Sequence, residues 1–98
     1  MKYEIAPKST EIQANWYDAK LYCFALNIDG KTGWRLPTIE ELNEIYQSEN
    51  DFEAWSYWSS TEGNDKAWKK SFHGGTQHFY FKFYSRYYVR AIRDLKAN

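Results

Sequence analysis

Two histidines, one cysteine, a cluster of oxygen-bearing residues and a run of rings interleaved with cations are the parts of this chain that could do chemistry. His73 and His78 flank Gly74-Gly75 and could offer two imidazoles to a metal. Zinc sites typically take three or four ligands, and no matching partners stand nearby. Glu62, Asn64 and Asp65 carry oxygens suited to a hard cation, but the spacing of a calcium loop is missing, so they read as a polar turn. Cys23 is the single cysteine, which excludes an internal disulfide and a cysteine-rich zinc site. It has no base at a recognisable spacing and reads as a small buried apolar residue. Ser59-Ser60 could suggest a nucleophile, yet no paired-carboxylate, triad or phosphate-loop pattern accompanies it. The sequence therefore predicts no catalytic residue, no metal and no cofactor, and a protein that is not an enzyme.

The run HFYFKFYSRYY, residues 78–88, points to binding instead. Strand alternation sends Phe79, Phe81 and Phe83 to a core and His78, Tyr80, Lys82 and Tyr84 outward. Tyrosines give contact area at little cost in rotamer entropy, and Lys82 and Arg86 add charge pairing to carboxylates, sulfates or phosphates. The predicted ligand-binding set is Glu62, Asn64, Asp65, Lys66, His73, His78, Tyr80, Lys82, Tyr84, Arg86 and Tyr87. Charge arithmetic keeps a plainer reading open. Residues 1–65 hold 5 Lys/Arg and 12 Asp/Glu, a net of −7, whereas residues 66–98 hold 8 Lys/Arg and 1 Asp, a net of +7. The later cations could serve only to neutralise the earlier acids, such as Glu40, Glu41 or Glu44.

These residues need a scaffold, and 98 residues with 43% hydrophobic and 20% aromatic side chains suffice for one domain spanning 1–98. Tyr3 to Ala6, closed by Pro7, reads as an edge strand. From the N-cap Asn15 the pattern predicts a helix up to the Asp29-Gly30 stop. Its stripes Trp16/Ala19/Cys23/Leu26 and Tyr17/Leu21/Phe24/Ile28 predict cover on more than one side. Thr38 and Glu41 form a capping box for a second helix to about Ser48, with Ile39, Leu42 and Tyr46 inward. Phe52 and Trp55 are expected to anchor the loop that follows. Strands are predicted at Tyr57–Ser60, Ala67–Phe72, His78–Tyr84 and Tyr88–Ile92, giving an α+β fold with both helices packed on a small twisted antiparallel sheet. Trp58, Trp68 and Phe81 are expected between sheet and first helix.

Several words occur in order: Trp16-Tyr17, Ala19 and Tyr22-Cys23; WRLPT at 34–38 with Glu41-Leu42; YWSST at 57–61 with Glu62; Ala67-Trp68 and Phe72; and YVRAIR at 88–93. In this combination, over roughly residues 15–93, the chain resembles the Lcl C-terminal-like domain family of bacterial collagen-like adhesins. The resemblance implies a C-type lectin-like fold, more distantly related to formylglycine-generating enzymes and phage tropism determinants, and a ligand-binding scaffold of adhesin or virion type. It also implies structural roles for Trp34, Pro37, Thr38, Trp58, Trp68 and Val89. The Glu-Pro-Asn, Gln-Pro-Asp and Trp-Asn-Asp words of calcium-dependent sugar binding are missing here, as are the paired reactive cysteines of the oxidases.

The functional expectation is a non-enzymatic recognition module. It would bind an acidic polysaccharide or a protein surface through the loops after Thr61 and Phe72 and the Tyr84–Tyr87 turn. Two alternatives stand beside it: single-stranded nucleic-acid binding by the aromatic and basic face, against which the need of a core for three phenylalanines counts, and a structural subunit that forms a homo-oligomer. The first fifteen residues contain no apolar run of signal-peptide length, and no window approaches a membrane span. Synthesis in the cytoplasm without membrane insertion is expected, with the final location open and a virion among the options.

Overall fold

The computed structural model describes residues 2–95. Tyr57 and Trp58 are neighbours on one strand and both fully buried, which alternation permits only if both faces of the sheet are covered. Tyr57 joins a core with Ile39, Leu42, Ile45, Phe52 and Ile92. Trp58 joins another with Trp16, Ala19, Cys23, Ala67 and Val89. The fold is α+β as expected, but the helices lie on opposite faces of the sheet and do not share one.

The strands are β1 (Tyr3–Ile5), β2 (Ile12–Ala14), β3 (Trp34–Arg35), β4 (Ser56–Glu62), β5 (Lys66–Ser71), β6 (Gln77–Phe81), β7 (Tyr87–Val89) and β8 (Ile92–Asp94); the helices are α1 (Trp16–Ala25) and α2 (Ile39–Tyr46). They build a three-stranded sheet, β1-β8-β3, and a five-stranded sheet, β2-β7-β4-β5-β6. Pairing is antiparallel except between β4 and β7, which run parallel with Tyr57 beside Tyr88. The single all-antiparallel sheet anticipated from sequence is thus replaced by two sheets. The expected strand Tyr88–Ile92 breaks at Arg90-Ala91, where the chain crosses from one sheet to the other.

Helix α1 starts where Asn15 accepts a hydrogen bond from the Asp18 amide at 2.9 Å and stops at Ala25, three residues short of Ile28. Asp29 and Gly30 both take positive φ, 53° and 85°, as a two-residue turn between Ile28 and Lys31 requires. Only one stripe of the helix is covered. Trp16, Ala19 and Cys23 are buried, whereas Tyr17, Leu21 and Phe24 face solvent, so α1 is a surface helix. Burial pushes the Cys23 thiol up to about 12. The α2 capping box forms as read: the Glu41 amide donates to Thr38 Oγ1 and the Thr38 amide to Glu41 Oε1. Ile39, Leu42 and Ile45 point inward, while Tyr46 lies at the rim. Phe52 is buried and Trp55 is exposed, so only the first of the two anchors its loop. No helix among the described residues is long and apolar enough to cross a membrane.

The alternation phase on β6 is as predicted, with Phe79 opposite Trp68 and Phe81 opposite Lys66 on the face that α2 covers further in. The burial is not. Phe79 and Phe81 are 42% and 43% exposed and Phe83 67%. β6 is the edge strand, and an eight-residue helix, about 12 Å long, does not reach over it. Phe83 lies beyond the strand in a turn. Of the three rings assigned to the space between sheet and α1, Trp58 is there, Trp68 is half-buried on the other face, and Phe81 is outside.

Arg90 closes the molecule. Its side chain is 3% exposed and donates to the Ala6 carbonyl at 2.6 Å, Glu11 Oε2 at 2.8 Å and Asp51 Oδ1 at 2.6 Å, with the guanidinium 4.7 Å from the Phe52 ring. Tyr57 donates to the same Glu11 oxygen at 2.8 Å. Replacing Arg90 with alanine removes donors from a buried carbonyl and two carboxylates and is expected to cost ~3–5 kcal/mol. Urea unfolding checks this: an Arg90→Ala midpoint equal to that of the parent would contradict it.

Candidate binding surface

The residues singled out from sequence fall in three places. Both hairpin loops flank β5, so the loop after Thr61 and the loop after Phe72 sit at opposite ends of a six-residue strand, about 17 Å apart. They do not form one site. The Tyr84–Tyr87 turn lies at the Thr61 end, where β6 meets the start of β5.

At that end Lys82 is not the outward cation anticipated. Its side chain is 4% exposed because Phe81 ends the strand and the chain turns inward. Its ammonium donates to Glu62 Oε1 at 2.7 Å and to the carbonyls of Gly63 and Asn64 at 3.0 Å each. It also lies 4.4 Å from the Trp16 ring. The backbone N–H of Lys82 donates to the Asp65 carbonyl, and its carbonyl accepts from the Trp16 amide. The Glu62 carboxylate and the backbone carbonyls of Asn64 and Asp65 thereby hold a hairpin, and the Lys82 hydrogen bond keeps the Glu62 carboxyl below its usual range. Lys66 stands 4.6 Å over the Phe81 ring. Arg86 donates to the Gln13 carbonyl at 3.0 Å, and Tyr84 is largely exposed.

At the far end His73 stacks on Trp55, ring centroids 4.5 Å apart and planes 13° from parallel. Its Nε2 lies 3.1 Å from the Glu53 carbonyl. This explains why Trp55 is free of the core: it pairs with the hairpin.

The third place gathers three of the predicted residues with one that was not. His78 and Tyr80 on β6, together with Tyr87 on β7, line a groove of about 400 Å³ with Lys69 and the edge of Phe79. The Tyr80 and Tyr87 rings are 5.8 Å apart at 35°. The Lys69 ammonium lies 4.3 Å from the Tyr87 centroid and 5.6 Å from that of Tyr80. No described carboxylate lies within ion-pair distance of it, and burial pushes its pKa below the ordinary lysine value. Burial also raises that of the Tyr87 hydroxyl. Lys69 shares this face because it sits opposite Trp58 on one side and His78 on the other. Assigning faces to AWKK, residues 67–70, would have found it: Ala67 and Lys69 point one way, Trp68 and Lys70 the other.

A larger concavity of about 680 Å³ beside α2 is lined by Lys2, Tyr3, Glu41, Glu44, Gln47 and Ser48. Its acids are engaged internally, Glu41 by Arg35 and Thr38, and Glu44 by the Tyr3 hydroxyl. No group of three or more His, Cys, Asp and Glu side chains able to hold a metal occurs among the described residues.

With this geometry in place the chain can be compared with known proteins. The model of the Lcl C-terminal domain matches residues 3–93, and the chain belongs to that family. Comparison with curated proteins finds no match. The family words fall on the frame: Trp34, Pro37 and Thr38 at the entry to α2, Trp58 and Val89 in the core, Arg90 at the crossover. The Lys69 groove lies outside them.

Because Lys82 is an internal cation, its loss should be felt by the fold. Lys82→Ala is expected to cost about 2 kcal/mol, the worth of hydrogen bonds to a charged group, whereas Arg86→Ala should stay within ~0.5 kcal/mol. Chemical denaturation of the two single variants checks this, and equal midpoints would contradict the assignment.

Proposed function

We propose that this domain is a non-enzymatic recognition module that takes an acidic polysaccharide into the groove formed by Lys69, His78, Tyr80 and Tyr87. The observation that carries the reading is the Lys69 ammonium, held between two tyrosine rings without a carboxylate partner. Lys69 is partly buried and its charge is met by two ring faces and no carboxylate, so part of its solvation is given up without an ionic partner, an arrangement that an anionic ligand would complete. A carboxylate or sulfate on a sugar supplies the missing charge. The apolar face of the sugar ring then lies against Tyr80 or Tyr87, whose rings lose little rotamer freedom on contact. The groove is open, which suits an internal segment of a chain better than a small enclosed metabolite.

Single-stranded nucleic acid is the second reading, favoured by the exposure of Phe79 and Phe81, which removes the objection that the core needs them. The cations argue for the glycan. Lys66 and Lys69 lie on opposite faces of β5, and Lys70 is buried, donating to the Gly75 carbonyl at 2.7 Å. A phosphate backbone needs several cations in line. Binding through one lysine gives a shallow dependence on salt, whereas phosphate tracking gives a steep one.

Lys69→Met keeps an unbranched stem against the tyrosines and removes the charge. Retention on an immobilised uronate- or sulfate-bearing polysaccharide should fall at least tenfold, while Tm stays equal or rises. Unchanged retention by a folded Lys69→Met protein would refute the site.

The pH profile has a determined sign. The charged lysine binds, and burial lowers its pKa from 10.5. Affinity is therefore present at neutral pH and lost as pH rises through the lowered value, before an ordinary surface lysine would titrate. Affinity that holds level up to pH 10.5 would contradict the role given to Lys69.

A further inference from the structure

Strand β6 has β5 as its one neighbour in the sheet, and its outer edge is built in a way that soluble monomers avoid. The ladder with β5 is bracketed by hydrogen bonds from the Ser71 amide to the Thr76 carbonyl and from the Lys82 amide to the Asp65 carbonyl, both 2.9 Å. Antiparallel pairs alternate, so Thr76, His78, Tyr80 and Lys82 spend their backbone groups on β5. Gln77, Phe79 and Phe81 turn theirs outward. All five residues of the strand are exposed. None is charged, none is proline, and no bulge interrupts the register with β5, although lysines, prolines and bulges are the usual protection of a free edge.

From this edge we infer that the chain forms a two-fold dimer in which β6 pairs antiparallel with β6 of a second copy, centred on Phe79, joining two five-stranded sheets into one. Phe79 then faces its own counterpart, and Gln77 faces Phe81 of the second copy. Every outward N–H and C=O of the three residues finds a partner. On the other face His78 lies opposite Tyr80 of the second copy in a non-hydrogen-bonded pair, where side chains approach most closely. No charge opposes a like charge along the strand. In the same register the turn that carries Phe83 and Tyr84 in one copy comes beside the Gly74-Gly75 turn of the other. The exposed fractions of Phe79, Tyr80, Phe81, Phe83 and Tyr84 amount to about 500 Å² of ring surface per copy. That is the greater part of the ~800 Å² per partner of a stable interface. An extended peptide could use the same edge, but it would leave the symmetric ring pairs unmatched. The inference does not use the Lys69 charge and rests on backbone direction and ring exposure, although His78 and Tyr80 line both the edge and the groove.

Light scattering during size exclusion of the full chain at about 100 µM is expected to give twice the 11.8 kDa of one chain. Phe79→Lys, which sets two ammonium groups against each other on the axis, should weaken self-association at least tenfold. Phe79→Cys should oxidise to a covalent dimer; Phe81→Cys alone should not, but should couple to Gln77→Cys in a mixture, with Cys23 buried and silent. Hydrogen exchange of the unmodified chain reads the same edge without mutation: the amides of Gln77, Phe79 and Phe81 should slow as concentration rises. A monomer at this concentration would overturn the inference. So would a dimer in which those three amides exchange fast at every concentration, or a monomer whose β6 amides slow only on adding an extended peptide.

Discussion

One buried guanidinium sets the geometry of this domain. Arg90 stands where the chain leaves the five-stranded sheet for the three-stranded one, and its donors reach the segment after β1, the acid before β2 and the loop that leads into β4. Parts of the chain 39 to 84 residues apart are held to one point. A buried cation of this kind is tolerated only when each of its donors is used, and here the requirement dictates where Glu11, Asp51 and the Ala6 carbonyl must lie. Tyr57 shares the Glu11 oxygen, so the strand at the centre of the larger sheet is tied into the same arrangement.

The charge asymmetry of the sequence is resolved in part in this way. Cations of the second half find acids of the first: Arg90 with Glu11 and Asp51, Arg93 with Glu4, Lys82 with Glu62. Arg35 holds Glu41 and Asp94 together across α2 and β8. Of the two readings left open by charge counting, internal neutralisation accounts for these residues, Lys82 included. It does not account for Lys69. Lys66, Lys70 and Arg86 are likewise without a carboxylate, but Lys70 and Arg86 donate to backbone carbonyls and Lys66 stands over Phe81; Lys69 is the one among them that lines a groove together with two tyrosine rings.

Local signals in the sequence were accurate where the physics is local. The Thr38–Glu41 capping box, the Asn15 cap and the alternation of β6 all depend on residues within a few positions of one another, whereas the helix stop expected at Asp29-Gly30 falls earlier, at Ala25. What could not be read depends on distant partners. β2 and β3 are three and two residues long and exist because β7 and β8 pair with them. The parallel contact of β4 with β7 has no local signature. The phase of β6 was right and its burial wrong, because being an edge strand is a property of the sheet. Of the candidate site, His78 and Tyr80 are legible as ring-bearing strand residues, whereas Tyr87 reads as part of a turn and lies instead at the start of β7. Lys69 could be placed on the face of Ala67 by alternation along residues 67–70, but that it meets Tyr80 and Tyr87 depends on the pairing of distant strands.

The central claim is that an acidic oligosaccharide touches the domain at the Lys69 groove. The most direct measurement is an NMR titration of the isotopically labelled chain with a uronate- or sulfate-bearing oligosaccharide, following backbone amides and lysine side chains. Saturable shifts centred on Lys69, His78, Tyr80 and Tyr87 are expected, with the Lys69 ammonium shifting most. Shifts confined to the 62–66 and 82–86 loops or to the His73–Trp55 hairpin, or a spectrum that does not change at all, would contradict it.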